Sequence, residues 1–461
     1  MRKKYIGDRA FYRRLLMVMV PILIQNVITN FVSLLDNLMV GRVGTEQMSG
    51  VAIVNQILFI FNISIFGGLS GAGIFTAQFY GKKDEEGVRN SMRAKLWIAA
   101  GITVVALGIL LTNGENLISL FIHEGKESLD LTATLKYGKS YLQIMLLQLP
   151  MFAILNVYST TLRETGETGL PMKAGIIALV VNMTLNYALI YGKLGAPKLG
   201  VQGAAIATVI ARFTECSVVV LKAHKGKTKR TSYMHGLYRT MAVPKNIREN
   251  ILRTGTPLLI NEFLWSGGMT TLNQVMSFRG LEVVSAENIC TTVSNLFFCA
   301  FFAMGTTVSI IVGQLLGAGE VEKAVDEDRK LIVFSVAISA LIGVAMIFLA
   351  PFIPHLYNTT ELVMKLATSM LIINAVMMPS NAFTNACYFT LRSGGKTIIT
   401  FLFDSAYLWV LSIPVTLALV KLTDLPIVPI YAISYGMDFL KCIAGFILVR
   451  KRIWVNNLVN E

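Results

Sequence analysis

The chain has 461 residues, of which 54% are hydrophobic and 15% charged, with a formal net charge of +14. So little charge excludes a soluble globular protein, whose charged share would be about 25%. The basic balance alone would suit a nucleic-acid partner, but the placement of the charges excludes that reading.

A helix needs about 20 mostly apolar residues to cross the roughly 30 Å hydrocarbon core of a bilayer. In chain order, such stretches lie at 15–35, 47–81, 96–114, 140–162, 174–192 and 199–221, then at 254–278, 288–319, 331–354, 366–391, 397–420 and 425–449. Backbone polar groups have no water partners in lipid, so spans are helices or closed barrels. Runs this long and uniform lack the alternation of barrel strands. The sequence therefore predicts an all-α integral membrane protein with twelve transmembrane helices. The first stretch is followed by no small-residue cleavage site and reads as a retained helix. All five cysteines fall in spans and read as small apolar residues, without a disulfide.

With the N-terminus in the cytoplasm, 30 of the 39 lysines and arginines outside the spans fall on the cytoplasmic side. This is the positive-inside bias of a multi-pass cell-membrane protein with both termini cytoplasmic. Arg212 and Lys441 are the two bases within spans.

The chain also repeats. At an offset of 236, Pro21 falls on Pro257, Gly44 on Gly280, Gln78 on Gln314 and Gly81 on Gly317. At 229, Pro150 falls on Pro379, Asn156 on Asn385, Arg163 on Arg392 and Gly166 on Gly395. Six helices separate equivalent points, so the repeat is parallel, with its pseudo-two-fold along the membrane normal and the pathway between halves. Residues 1–223 form the N-terminal six-helix half, 224–250 a basic linker expected as a solvated cytoplasmic loop, and 251–461 the C-terminal half.

Several segments carry a family likeness: PILIQNVITNFVSLLDNLMVGRVGTEQMSGVA, TAQFYGKKDEEGVR with IVGQLLGAGEVEKA, TLRETGET with TLRSGGKT, and VVNMTLNYALIYG. Together they resemble the multidrug and toxin extrusion (MATE) family of secondary transporters over essentially the whole chain. The resemblance implies two lobes in a V, alternating access, and export of organic, often cationic, molecules driven by inward proton or sodium flow. No further cofactor is implied, and the expected partners are a small-molecule substrate and the bilayer, with the protein a monomer.

Ionisable groups inside spans are costly and mark function by default. Asp36 lies near the outer end of the first span, and SLLDNLMVGRVG resembles the family's acid-bearing pattern. Asn182 and Asn186 are one turn apart and share a helix face. Some family members have Asn then Asp at this spacing; here the second is Asn186, which weakens a two-acid mechanism. The alternative is that the amides bond neighbouring helices. Glu262 has no basic partner within a turn and can exchange a proton for a cationic substrate. Some MATE proteins pair a helix-seven Glu with a helix-ten Asp around sodium; the matching position is Asn381, and Asp404 could replace the missing acid in a sodium site with Glu262. Arg212 with Glu215, and Lys441 with Asp438, are spaced as ion pairs within their own helices.

An enzyme is a poor fit, because His123, His224, His235 and His355 lie in loops or at span ends and no HExxH, GxSxG or Walker spacing occurs. A lipid-linked oligosaccharide flippase of the same superfamily is the nearer alternative; it would need several cavity bases for phosphates. The charge bias makes one direct prediction. A single cysteine placed at Lys229 should resist an impermeant thiol reagent added outside intact cells, and ready labelling there would reverse the topology.

Overall fold

The computed structural model describes residues 5–121, 130–226, 230–357 and 359–460; His123 and Lys229 lie outside the described residues. The described chain is helical throughout. The elements are α1 (Arg9–Gly41), α2 (Thr45–Lys82), α3 (Glu85–Ser119), α4 (Leu131–Met145), α5 (Gln148–Glu164), α6 (Gly169–Tyr191) and α7 (Val201–Lys225). They continue with α8 (Lys245–Ser277), α9 (Leu281–Gly317), α10 (Val321–Leu349) and α11 (Glu361–Ser393), then α12 (Thr397–Leu422) and α13 (Ile427–Arg450).

Among the described residues, ten helices are long and apolar enough to cross a membrane, and α4 with α5 forms an eleventh, broken span bent by 49°. Helix α8 completes the twelve by length, with 33 residues. It is less apolar than the rest because Asn261, Glu262, Ser266, Thr270, Thr271 and Asn273 interrupt it. The break between α4 and α5 has a local cause. Pro150 has no N–H to give the carbonyl of Leu146, and its ring crowds that carbonyl. The span expected as one helix over 140–162 is therefore two.

The second helix of each half is long, as the sequence suggests, at 38 residues in α2 and 37 in α9. At 1.5 Å per residue both exceed about 55 Å. In α12 the stretches Leu402–Ala406 and Leu408–Ser412 are wound as π-helix. Pro414 lacks the donor for an α-turn onto Val410, and the wider winding lies on its N-terminal side.

By packing, the chain forms two compact units. One comprises Met1–Leu23, Ala77–Asp84 and Leu252–Glu461, the other Ile24–Thr76 and Glu85–Ile251. In the first, Phe11 and Leu15 of α1 join Val308, Ile311 and Leu315 of α9, Leu391 of α11 and Trp454 in one apolar core. Arg14 meets Glu327 at 3.2 Å at its edge. The ends of α2 and α9 cross there on paired glycines. A Cβ on Gly81 would overlap the carbonyl oxygen of Gln314, and one on Gly317 that of Gln78. These are two of the residue pairs of the sequence repeat, so the crossing is reciprocal.

In the second unit, Gly203 of α7 lets the helix approach the backbone of Leu189 in α6; a Cβ there would lie 2.6 Å from the Leu189 carbonyl oxygen. The linker is not the free loop expected. Tyr233, Met234 and Leu237 are buried. Arg93 of α3 donates to the Leu237 carbonyl at 2.9 Å, and Trp97 Nε1 to that of Met241 at 2.9 Å. Three apolar side chains in a basic segment have enough surface to dock, and the arginines of α3 satisfy the turn carbonyls that docking removes from water. The five cysteines are all free thiols.

Gly317→Ala should push the crossing apart and lower stability by about 1–3 kcal/mol, as overpacking does. Thermal melting of the purified protein checks this; an unchanged melting temperature would mean the helix ends do not touch through these glycines.

Candidate functional site

In the second unit, three helices bring one carboxyl and three neutral polar side chains together. Asp36 comes from α1, Asn182 and Asn186 from one face of α6, and Thr208 from α7. Asn186 Nδ2 donates to Asp36 Oδ1 at 2.5 Å and to Asn182 Oδ1 at 3.0 Å. Thr208 Oγ1 donates to Asp36 Oδ2 at 3.5 Å and accepts from Asn182 Nδ2 at 3.4 Å. The four side chains form a closed ring. Asn182 and Asn186 are 2% and 0% exposed, and Asn186 Oδ1 finds no partner among the described residues. The carboxyl is thus held only by uncharged donors, beside one open amide oxygen. Such a site can hold a proton on Asp36, or present oxygens to a small cation.

Sequence reasoning brought Asp36, Asn182 and Asn186 together and missed Thr208. The signal was available: Thr208, Arg212 and Glu215 recur at four and three residues on one face of α7. Arg212 Nη1 does bond Glu215 Oε2 within its own helix, at 2.7 Å.

The first unit holds the other candidates, and here the geometry departs from the expectation. Lys441 of α13 does not pair with Asp438 in its own helix; its Nζ meets Asp404 Oδ1 of α12 at 3.1 Å. It also lies 5.5 Å from the ring centroids of Phe403 and Tyr407. Asn261, next to Glu262 and 1% exposed, is the side chain of α8 that reaches Asp404, donating to Oδ2 at 3.3 Å. Ser405 Oγ donates to Asn261 Oδ1 at 2.7 Å. The π-wound turns of α12 set Asp404 and Ser405 side by side against this one amide. Asn261 is therefore the central residue that sequence reasoning missed.

Glu262 and Asn381 make no side-chain hydrogen bond among the described residues, and Arg392 and Asp404 are the charged groups that act on Glu262. Glu262 and Asp404 act on each other electrostatically, while the Lys441 ammonium pairs with Asp404. No group of three or more His, Cys, Asp or Glu able to hold a metal occurs among the described residues. Another intramembrane acid, Glu287 of α9, is buried and lies 3.2 Å from the amide of Asn273.

Comparison with known proteins now decides the family. The MatE family model matches residues 21–188 and again 257–417. The chain belongs to the MatE family. The two matches begin 236 residues apart and end 229 apart, the offsets of the internal repeat. MatE proteins are transporters and not enzymes. This MatE chain is 24% identical over 411 residues to a probable multidrug resistance protein NorM of Thermotoga maritima, covering 89% of this chain and 86% of that one. It is 25% identical over 466 residues to a probable multidrug resistance protein YoeA of Bacillus subtilis, covering 98% and 96%. Among solved structures, an outward-facing multidrug resistance MATE family transporter of the MOP superfamily aligns with a TM-score of 0.84 at 21% identity, covering 98% and 97%. A MOP superfamily transporter from Pyrococcus furiosus aligns at 0.83 and 20%, with the same coverage. These likenesses establish the fold of the MatE chain.

The Lys441–Asp404 pair is testable by a double-mutant cycle. Lys441→Met alone should cost about 3–5 kcal/mol, because it leaves a desolvated carboxylate without its partner, and adding Asp404→Asn should recover most of that loss. Additive losses in chemical denaturation would mean that the two side chains do not interact.

Proposed function

We propose that the chain exports organic cations or amphipathic small molecules across the cell membrane in exchange for protons. The two six-helix halves, 1–223 and 251–461, would expose the substrate path alternately to each side, with both termini cytoplasmic. The observation that carries the reading is the ring around Asp36, in which a membrane-embedded carboxyl is bonded by two uncharged groups, Asn186 and Thr208. Such a carboxyl suits either charge state, since the same donors serve the ion and the ring tolerates a proton on it. A permanent counter-charge in contact would hold it ionised. The similarity to probable multidrug resistance proteins supports organic substrates. Glu262, half-buried and without a hydrogen-bonded partner among the described residues, supports a second proton-linked site in the C-terminal half.

Sodium coupling is the second reading, favoured by the open Asn186 oxygen beside Asp36. It would use Asp36, Asn182, Asn186 and Thr208 as oxygen donors. The Asp404 position favours it less, because the Lys441 ammonium occupies the carboxylate. Both intramembrane bases meet carboxylates, Arg212 on Glu215 and Lys441 on Asp404, which argues against a cavity built for lipid phosphates.

In proteoliposomes free of sodium, a pH gradient alone should drive transport of a cationic dye, and an uncoupler should abolish it. Asp36→Asn and Glu262→Gln should reach the membrane folded and lose at least about tenfold in that rate. Transport that requires sodium and ignores the pH gradient would replace the proton reading; wild-type rates in both variants would remove these residues from the mechanism.

A further inference from the structure

The proton reading leaves one question at the N-terminal site: where the charge goes when Asp36 loses its proton in a low-dielectric interior. Resting on that reading, we infer that Arg212 is a counterion shared by Asp36 and Glu215, and that the proton leaving Asp36 passes to Glu215.

Thr208, Arg212 and Glu215 line one face of α7, so the helix itself connects the two carboxyls. At one end Thr208 Oγ1 donates to Asp36 at 3.5 Å; at the other Arg212 Nη1 donates to Glu215 at 2.7 Å. Between them lies a cavity of about 30 Å³ lined by Gln25, Thr29, Asn182, Thr208, Arg212 and Glu215. A cavity of roughly 10–15 Å³ admits a water where polar groups can hold it, and these six polar side chains can do so within a lining that also includes Ile28, Val32 and Leu179. Arg212 acts electrostatically on Asp36 while bonded to Glu215. Its guanidinium lies over the Phe152 ring, 5.7 Å from the centroid. Its side chain is 25% exposed against 5% for Glu215, so the arginine is the freer partner.

The step balances. The O–H bond of Asp36 breaks, the proton crosses the cavity by way of water, and an O–H bond forms on Glu215. Arg212 leaves Glu215, now neutral, and joins Asp36, now ionised. The three groups sum to zero charge before and after, so the step moves no net charge among them. Among the other groups that face the pair, the Arg163 cation favours the ionised form of Glu215, so the proton rests there only in passing. Arg163 of α5 acts on Glu215 and is anchored by the Gln25 side chain. Glu164 is engaged by the buried ammonium of Lys95. Tyr141 faces Asp36, and Cys216 follows Glu215. None of them offers Asp36 a second cation.

The test is dye transport into sodium-free proteoliposomes under a pH gradient, with infrared difference spectra on acidification. Glu215→Gln should slow proton-driven transport at least about tenfold, and Glu215→Asp should retain it with a displaced pH profile. The double variant Arg212→Gln, Glu215→Gln removes the pair without leaving an unpaired charge. It should fold and still lose proton-driven transport. Among the protonated carboxyl bands in the spectra, one should be missing in Asp36→Asn and another in Glu215→Gln. A double variant with wild-type rate and pH profile would overturn the inference and leave the pair as charge neutralisation within α7. Both bands surviving in Glu215→Gln would overturn it equally. A wild-type protein that ignores the pH gradient would instead overturn the coupling ion, and the inference with it.

Discussion

Every charge within these spans must be answered by protein, because lipid answers none. That constraint organises the structure more than any single apolar contact. Arg212 finds Glu215 and Lys441 finds Asp404; just before the third apolar stretch Lys95, fully buried, finds Glu164 and two threonine hydroxyls. Asp36 is answered in contact by amide and hydroxyl alone. Neutral partners leave its charge adjustable, whereas ion pairs lock theirs.

The two halves solve the same problem with different chemistry. Arg212 and Lys441 stand at equivalent positions of the repeat, 229 residues apart, yet one takes its acid from its own helix and the other from α12. The backbone repeat is therefore stricter than the side-chain repeat. Glycine and proline landmarks persist because they determine how closely helices cross and where they bend. Charged residues are free to change partner as long as each pair stays neutral.

Much of this was legible in the sequence for that reason. Lipid imposes long apolar runs, so the spans could be read from composition, and the glycines of the crossing could be read from the repeat. The Asp36, Asn182 and Asn186 cluster was legible because two of its members share a helix face. Thr208 was legible only through its spacing from Arg212 and Glu215 on one face of α7, and Asn261 was not, since a neutral residue in an apolar helix carries no mark until packing shows what it faces. Lys441 was assigned to Asp438 by local spacing, but tertiary packing brought Asp404 closer in contact. The linker was read from its lysines and arginines, while Tyr233, Met234 and Leu237 decided where it lies.

The contacts of α1 bear on how the chain is made. Its first turns pack on α9 and α11, and Arg14 meets Glu327, 313 positions further on. During synthesis these turns must wait, already in the membrane, until more than half the protein has followed. The linker, by contrast, can dock on α3 as soon as it leaves the ribosome, before the second half of the chain has emerged. Biogenesis is thus ordered by this architecture, with the linker end of α3 finished early and the start of the chain finished late.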